Sequence, residues 1–347
     1  MHTRKVKNFF VTFLAILTHF CYTVTKKINR KGDGNGMKRI AAVFLLCCLL
    51  CGCAAEEKKT EKTVYAMDTV MQLQIWGSDS EKGIQTVEYL LKDIEEIWSV
   101  TRENSVLGQL NRGLRIGLSP QQQAVLERAE ALRASTNGAF DPKLYSVLKA
   151  WGFYDKAYRV PTAEALAEAL ADPKWDLGGI IKGYAGREAA ERLKNLNVDR
   201  AILNLGGNIQ TYGQKPDGSP WQIGIQNPKG GDPVGVVSVT GTMAVVTSGD
   251  YQRYFEADGI RYHHIMDPKT GYPADSGLSS VTVICNDGMT ADALSTALFV
   301  MGLEGAAEFW RQNGDFEAVF ILSDGSVYAT QGAALSGCEY EVIRHEK

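Results

Sequence analysis

From residue 201 onward the chain is a succession of short runs rich in β-branched and aliphatic residues, which constrains its fold more than any other feature. The runs AILNL, WQIGI, VGVVSV, MAVVT, RYHHIM, SSVTVIC and FEAVFIL follow one another, with turn residues between most of them. Two helical stretches, over residues 290–301 and 304–312, interrupt the series. Helices predominate earlier. Residues 81–97 set Ile84, Val87, Leu90, Leu91, Ile94 and Ile97 on one helical stripe. Ser119-Pro120 supplies a favoured helix start, Asn137-Gly138 a stop, and a further helix is expected from Gly183 to Leu196. Residues 63–76 alternate as a strand does, through Val64, Ala66, Val70, Leu73 and Ile75. Helices early and strands late predict an α+β fold in one domain, not a doubly wound parallel sheet.

The first fifty residues stand apart from that domain. Residues 37–53 read MKRIAAVFLLCCLLCGC: a Met, two basic residues, and an uninterrupted apolar run over 40–51. This is the plan of a secretory signal, and the run is short for a membrane span. Its end, Leu50-Cys51-Gly52-Cys53, resembles the lipobox of bacterial lipoproteins, so Cys53 is the expected lipidation site and 54–62 the expected polar tether. Two acyl chains would suffice for stable anchoring on the outer side of the cell membrane. A signal should begin its chain, so residues 1–36 are expected to be a non-native extension upstream of a true start at Met37. The competing reading makes the apolar stretch 9–22 an anchor, although Thr18 and His19 interrupt it.

Cleavage at Cys53 changes the charge. Of the 37 basic and 40 acidic residues, nine basic and one acidic lie in 1–53, leaving a mature chain near −11. That argues against nucleic acid as a partner. Five of the seven cysteines lie at or before position 53, which leaves Cys285 and Cys338, too few for a disulfide framework or a zinc cluster. Whether those two pair is open at this level.

Three stretches carry the chemistry. If an imidazole base operates in the folded part, it comes from His263-His264, because His345 sits in the terminal tail. Neighbours on a strand face opposite sides, so one histidine can face a site while the other does not. In Asp176-Leu177-Gly178-Gly179-Ile180-Ile181-Lys182-Gly183, two glycines precede a helix, where backbone N–H groups and the helix dipole favour phosphate. Asp292 and Thr296 are four apart on one helix face, a sparse oxygen pair that magnesium accepts when phosphates complete its shell. Each also has an ordinary structural reading: an exposed histidine pair, a strand-to-helix turn, and an Asp near a helix start. Ser248-Gly249-Asp250-Tyr251 either binds polar groups or makes a turn. The absence of G-x-S-x-G and HExxH removes two hydrolase classes.

The order of the stretches says more than any one of them. Met67-Asp68-Thr69, NSVLGQLN at 104–111, GAFDP at 138–142 with WGF at 151–153, DLGGIIKGYA at 176–185, NLGGNI at 204–209, TSGDYQRYF at 247–255, HIMDPKTGYP at 264–273 and TADALSTALFVMG at 290–302 together resemble the ApbE family of FAD:protein FMN transferases. The resemblance spans residues 63–340, and the family more often has Gly where Asp68 stands. It implies an α+β fold of T-fold type, with antiparallel sheets and flanking helices, as a flavin transferase domain over 63–347. It also implies FAD contacts from Met67, Ala139, Phe140, Asp141, Asp176, Lys182 and Ile265, with Trp98 stacking on the flavin nucleotide. Magnesium would be held by the side chains of Asp292 and Thr296 and the carbonyl of Gly179. His264 becomes the candidate base for a Thr or Ser hydroxyl on an exported or membrane flavoprotein, with AMP released. FAD pyrophosphatase activity and flavin binding without chemistry are the alternatives.

Overall fold

The structure, a computed structural model, describes residues 58–345. The expected extension, signal segment and Cys53 lie outside the described residues. No described helix is long and apolar enough to cross a membrane.

The chain opens with a hairpin of β1 (Lys59–Ala66) and β2 (Thr69–Trp76), in full antiparallel register from Lys59 opposite Trp76 to Ala66 opposite Thr69. Two expectations are corrected here. Residues 59–62 belong to β1 and not to a tether. The alternation over 63–76 is two strands and not one, folded back at Met67 and Asp68. Both turn residues have positive φ, 49° and 59°, as a two-residue hairpin turn that follows the strand twist requires. Neither is the glycine such a turn favours, so the sequence hides it. Side chains hold it instead: Met67 N–H donates to Glu95 (3.2 Å) and the Tyr65 hydroxyl to Asp68 (3.1 Å).

Helices follow: α1 (Ser80–Trp98), α2 (Val106–Asn111), α3 (Pro120–Ser135), α4 (Tyr145–Ala150), α5 (Ala163–Ala171) and α6 (Ile181–Leu193). The Ser119 side chain accepts from Gln122 N–H while the Gln122 side chain returns a bond to Ser119 N–H, closing a capping box at α3. The strand-rich part is β3 (Arg200–Asn204), β4 (Asn208–Tyr212), β5 (Trp221–Ile225), β6 (Gly235–Val239), β7 (Ala244–Gly249), β8 (Tyr254–Ala257), β9 (Ile260–His263) and β10 (Leu278–Cys285). After α7 (Gly288–Asn313) come β11 (Glu317–Leu322), β12 (Val327–Thr330), β13 (Leu335–Ser336) and β14 (Glu341–Ile343). The two helices expected after residue 290 are one element broken at Gly302, whose φ of 73° leaves the helical region.

Nine strands make one sheet in the order β1-β2-β3-β4-β7-β10-β11-β12-β14, antiparallel except for the parallel β12–β14 pair. One face carries α1, α6 and α7 and the other the small sheet β13-β6-β5, so the sheet is the middle of three layers. β7 shows the alternation: Ala244 and Val246 pack under α7, and Val245 packs against the small sheet. β10 is buried on both faces along nearly its whole length, which a strand with one side open to solvent would not show. Cys285 and Cys338 are separate free thiols.

α6 and α7 cross at two glycines. A Cβ on Gly183 would lie 2.0 Å from the Gly288 carbonyl oxygen, and a Cβ on Gly288 would lie 2.3 Å from that of Gly183. Backbone meets backbone there, so no side chain can yield. Gly183→Ala should force the helices apart and cost about 1–3 kcal/mol in urea unfolding; an unchanged midpoint would show that the crossing is looser than this.

Candidate active site

The crossing of α6 and α7 assembles the site. α6 has no side-chain cap of its own at Ile180. Asp292, 3 % exposed on α7, supplies one from outside, with Oδ2 accepting the Gly183 N–H at 2.9 Å. Its other oxygen has no hydrogen-bond partner among the described residues. One turn along α7, Thr296 shares a hydrogen bond of 3.3 Å with Ser248 at the end of β7, and Ser248 shares a second of 2.7 Å with Ser295. The loop before α6 reaches the same place: the Cβ position of Gly179 lies 3.5 Å from Thr296 Oγ1 and 3.2 Å from the Phe140 ring. Thr296 thus lies against Gly179, and Asp292, on the same face of α7, holds the Gly183 N–H a turn further along the loop and helix start.

The turn at 138–142 is tied to this loop, since Asp176 N–H donates to the Pro142 carbonyl at 2.8 Å. The Asp141 carboxylate accepts from Arg133 and from Lys143 N–H, both at 2.9 Å, and the Ala139 N–H donates to the Thr136 carbonyl at 3.0 Å. Asp176 itself is buried; its Oδ1 accepts from Gly178 N–H (2.8 Å) and its Oδ2 accepts a short hydrogen bond from the Tyr154 hydroxyl. Burial pushes its carboxyl above the usual range, against the pull of those two donors, and pushes the Tyr154 hydroxyl well up.

The two histidines divide as strand geometry expects. His263 turns inward, edge-on to Phe299 at 5.5 Å, and its Nδ1 accepts from Ile265 N–H at 3.3 Å. His264 turns toward Phe153, 6.4 Å between ring centres, and its Nδ1 lies 3.1 Å from the Arg253 carbonyl. A carbonyl only accepts, so Nδ1 carries the proton and Nε2 keeps its lone pair. Burial, then the Arg253 guanidinium, with smaller contributions from His263 and Lys182, holds the His264 ring down at about 3, and burial holds His263 at about 4. Lys182 Nζ lies 3.5 Å from the Gly178 carbonyl, and the glycine loop is joined to the histidine segment through Asp176, Tyr154 and Arg253, whose guanidinium lies over the Tyr154 ring and whose carbonyl meets His264 Nδ1.

Four expected residues pack into the core. Trp98 is a core side chain at the end of α1, 6 % exposed, and Phe140 is 2 % exposed in the same cluster. Ile265 is buried under α7, with its carbonyl accepting from Ala274 N–H at 2.9 Å. Met67 packs against the α1–α6 core from its turn. Conversely, Tyr154, Arg253 and Ser248 received no firm role from the sequence. Arg253 lies over the rings of Phe153 and Tyr154 and donates to the Phe153 carbonyl. The only signal for it was its place inside TSGDYQRYF.

These elements have counterparts in known proteins. The family model described as "ApbE family" matches residues 67–320. The chain belongs to the ApbE family. It is similar to the FAD:protein FMN transferase of Treponema pallidum, 32 % identical with 84 % of this chain and 93 % of that one covered. The Haemophilus influenzae protein of the same name is 32 % identical, with 82 % and 93 % covered. Among solved structures, the ApbE protein of Thermotoga maritima superposes with a TM-score of 0.73 at 33 % identity, covering 78 % of this chain and 96 % of that one. The apo flavinyl transferase ApbE of Pseudomonas stutzeri gives 0.68 at 32 % identity, covering 82 % and 95 %. An α+β fold with antiparallel sheets is thus the architecture of the ApbE relatives as well as of this chain.

The buried rings make a pH prediction. Above about pH 7.5 these histidines are neutral in folded and unfolded chains alike, so the stability from keeping the rings neutral is complete there. As pH falls from 6.5 toward 4, only the unfolded chain takes up protons, and stability falls. His264→Gln should flatten the decline in urea stability between pH 6.5 and 4.5 by close to one proton; an unaltered slope would mean the ring titrates as a free one.

Proposed function

We propose that the protein transfers FMN from FAD to a Thr or Ser hydroxyl of another protein, with magnesium, from an anchored position outside the cell membrane. The observation that carries this reading is the convergence of two clusters on one loop. Thr296 lies against Gly179 and Asp292 holds the Gly183 N–H, while Asp176 of the same loop is tied through Tyr154 to Arg253, whose carbonyl orients His264.

The donor set fits a magnesium ion. Among the described residues no three His, Cys, Asp or Glu side chains group as a metal site. One carboxylate oxygen, a hydroxyl and a carbonyl are a partial shell, suited to a cation that takes its remaining oxygens from phosphates and water. Bound there, Mg²⁺ would neutralise pyrophosphate charge and stabilise charge developing at phosphorus.

The chain's own residues supply the rest. Lys182 and Arg253 bring positive charge to where a pyrophosphate would lie, and the N-terminus of α6 adds backbone N–H groups. The acceptor oxygen attacks the FMN phosphorus, the bond from that phosphorus to the bridging oxygen breaks, and AMP leaves with that oxygen. The hydroxyl proton passes to His264 Nε2, the nitrogen left bare by the Arg253 carbonyl. A ring held near 3 is fully neutral at working pH but a weak base. A pyrophosphate beside Lys182 and Arg253 would offset the two cations that depress it, so the base strengthens when substrate is in place.

Incubating the protein with FAD, Mg²⁺ and membrane extract should give protein-bound fluorescent flavin and an equal amount of AMP. AMP without bound flavin would mean hydrolysis to FMN, and neither product a binding protein. His264→Ala should slow transfer by about 10²–10⁴, and Asp292→Asn should raise the Mg²⁺ needed for half-maximal rate by about tenfold or more. Normal rates in either variant would remove that residue's role. For the anchor, Cys53→Ala should move the protein from the membrane to the soluble fraction; retention there would point to the apolar stretch at 9–22.

A further inference from the structure

β8 and β9 form a two-stranded sheet of their own, so β9 has a partner on one side only. The register sets Tyr254 opposite His263 and Ala257 opposite Ile260, and His264 N–H donates to the Arg253 carbonyl at 3.1 Å. Antiparallel ladders alternate bonded and non-bonded pairs. Ile260, Tyr262 and His264 therefore turn their backbone groups toward β8 and its lead-in, and Arg261 and His263 turn theirs away.

That outward edge opens into a cleft of about 360 Å³, walled by β9 on one side and by the 272–278 segment on the other. Beyond His263 the edge is already occupied. Ala274 N–H donates to the Ile265 carbonyl at 2.9 Å, and Asp267 N–H to the Tyr272 carbonyl at 2.8 Å. The cleft is thus a short free strand edge that ends where His264 begins. Ser276, on the far wall, has a buried Oγ with no hydrogen-bond partner among the described residues. Ile260 and Tyr272 at its margin are 55 % and 42 % exposed.

We propose that this cleft receives the acceptor polypeptide as a strand added beside β9, which carries the target hydroxyl to His264. The proposal rests on the transferase reading and names how that reaction finds its second substrate. The outward groups of Arg261 and His263 present a donor and acceptor pattern that an extended backbone matches and a water molecule does not. Side chains of an added strand alternate between faces, so every second one lies on the face shared by Tyr262 and His264. A Thr or Ser on that face, at the end nearest His263, meets the base. The apolar rim of Ile260 and Tyr272 is covered when the strand is in place. Charges of both signs, Asp250 and Asp275 against Arg261, line the cleft, so the main chain and not net charge governs recognition.

The test uses the full-length protein in detergent, FAD and Mg²⁺, a pool of extended decapeptides each with one central Thr, and membrane extract as a source of folded acceptors. The parent, whose Arg261 N–H points outward, should label peptides and folded acceptors alike. Arg261→Pro removes that N–H from a position outside the hairpin's own ladder. It should raise the peptide KM about tenfold or more, with FAD fluorescence quenching unchanged. Ser276→Trp fills the cleft from the other wall and should do the same, which decides the matter if the proline variant loses FAD binding through misfolding. Normal peptide KM in both blocking variants overturns the proposal, as does a parent protein that labels folded acceptors but no peptide. A parent that labels neither overturns the transferase reading instead.

Discussion

At the crossing of α6 and α7 two helix backbones are in contact through Gly183 and Gly288, and the Asp292 carboxylate accepts the Gly183 N–H across the junction. Most of the site's geometry follows from this contact. It brings the uncapped start of α6, a phosphate-favouring helix end, against the face of α7 that carries Asp292 and Thr296. It also leaves Asp292 with one oxygen engaged in structure and one without a hydrogen-bond partner among the described residues. A side chain at either glycine would separate the loop from its oxygen donors, so packing and chemistry share a single requirement.

The sheet performs the complementary task. β7 and β10 are adjacent in the middle layer, and β7 ends at Ser248, which hydrogen-bonds to Ser295 and Thr296 on α7. The chain leaving β7 passes through Arg253 into the β8–β9 hairpin and returns at His264, whose ring is oriented by the Arg253 carbonyl. One continuous stretch from Ser248 to His264 therefore reaches from the hydroxyls of Ser295 and Thr296 to the candidate base. Arg253 orients that ring through its carbonyl and, second to burial, lowers its basicity through its guanidinium.

Periodicity alone made much of this legible. The stripe on α1, the Ser119-Pro120 start of α3 and the runs that became β3, β5 to β7 and β9 to β11 are each local patterns with a local cause. The hairpin turn at Met67-Asp68 was hidden because its positive φ values are borne by residues that do not advertise them. The join at Gly302 was hidden because one glycine interrupts, without ending, a helix that packing holds together. Trp98 and Phe140 show the converse: aromatic residues at family positions whose burial only the packed core reveals.

By itself the sequence determined the α+β class, the pairing of Asp292 with Thr296 on one face, and the opposite facing of His263 and His264. These follow from helix and strand periods, which act between residues close in the chain. Only the tertiary structure decided that Gly179 meets Thr296, that Tyr154 hydrogen-bonds to Asp176, and that a free edge of β9 ends beside His264. Those contacts join residues tens to more than a hundred positions apart, or depend on a neighbouring strand being absent. Long-range register of that kind is fixed by how the layers pack, which no local pattern encodes.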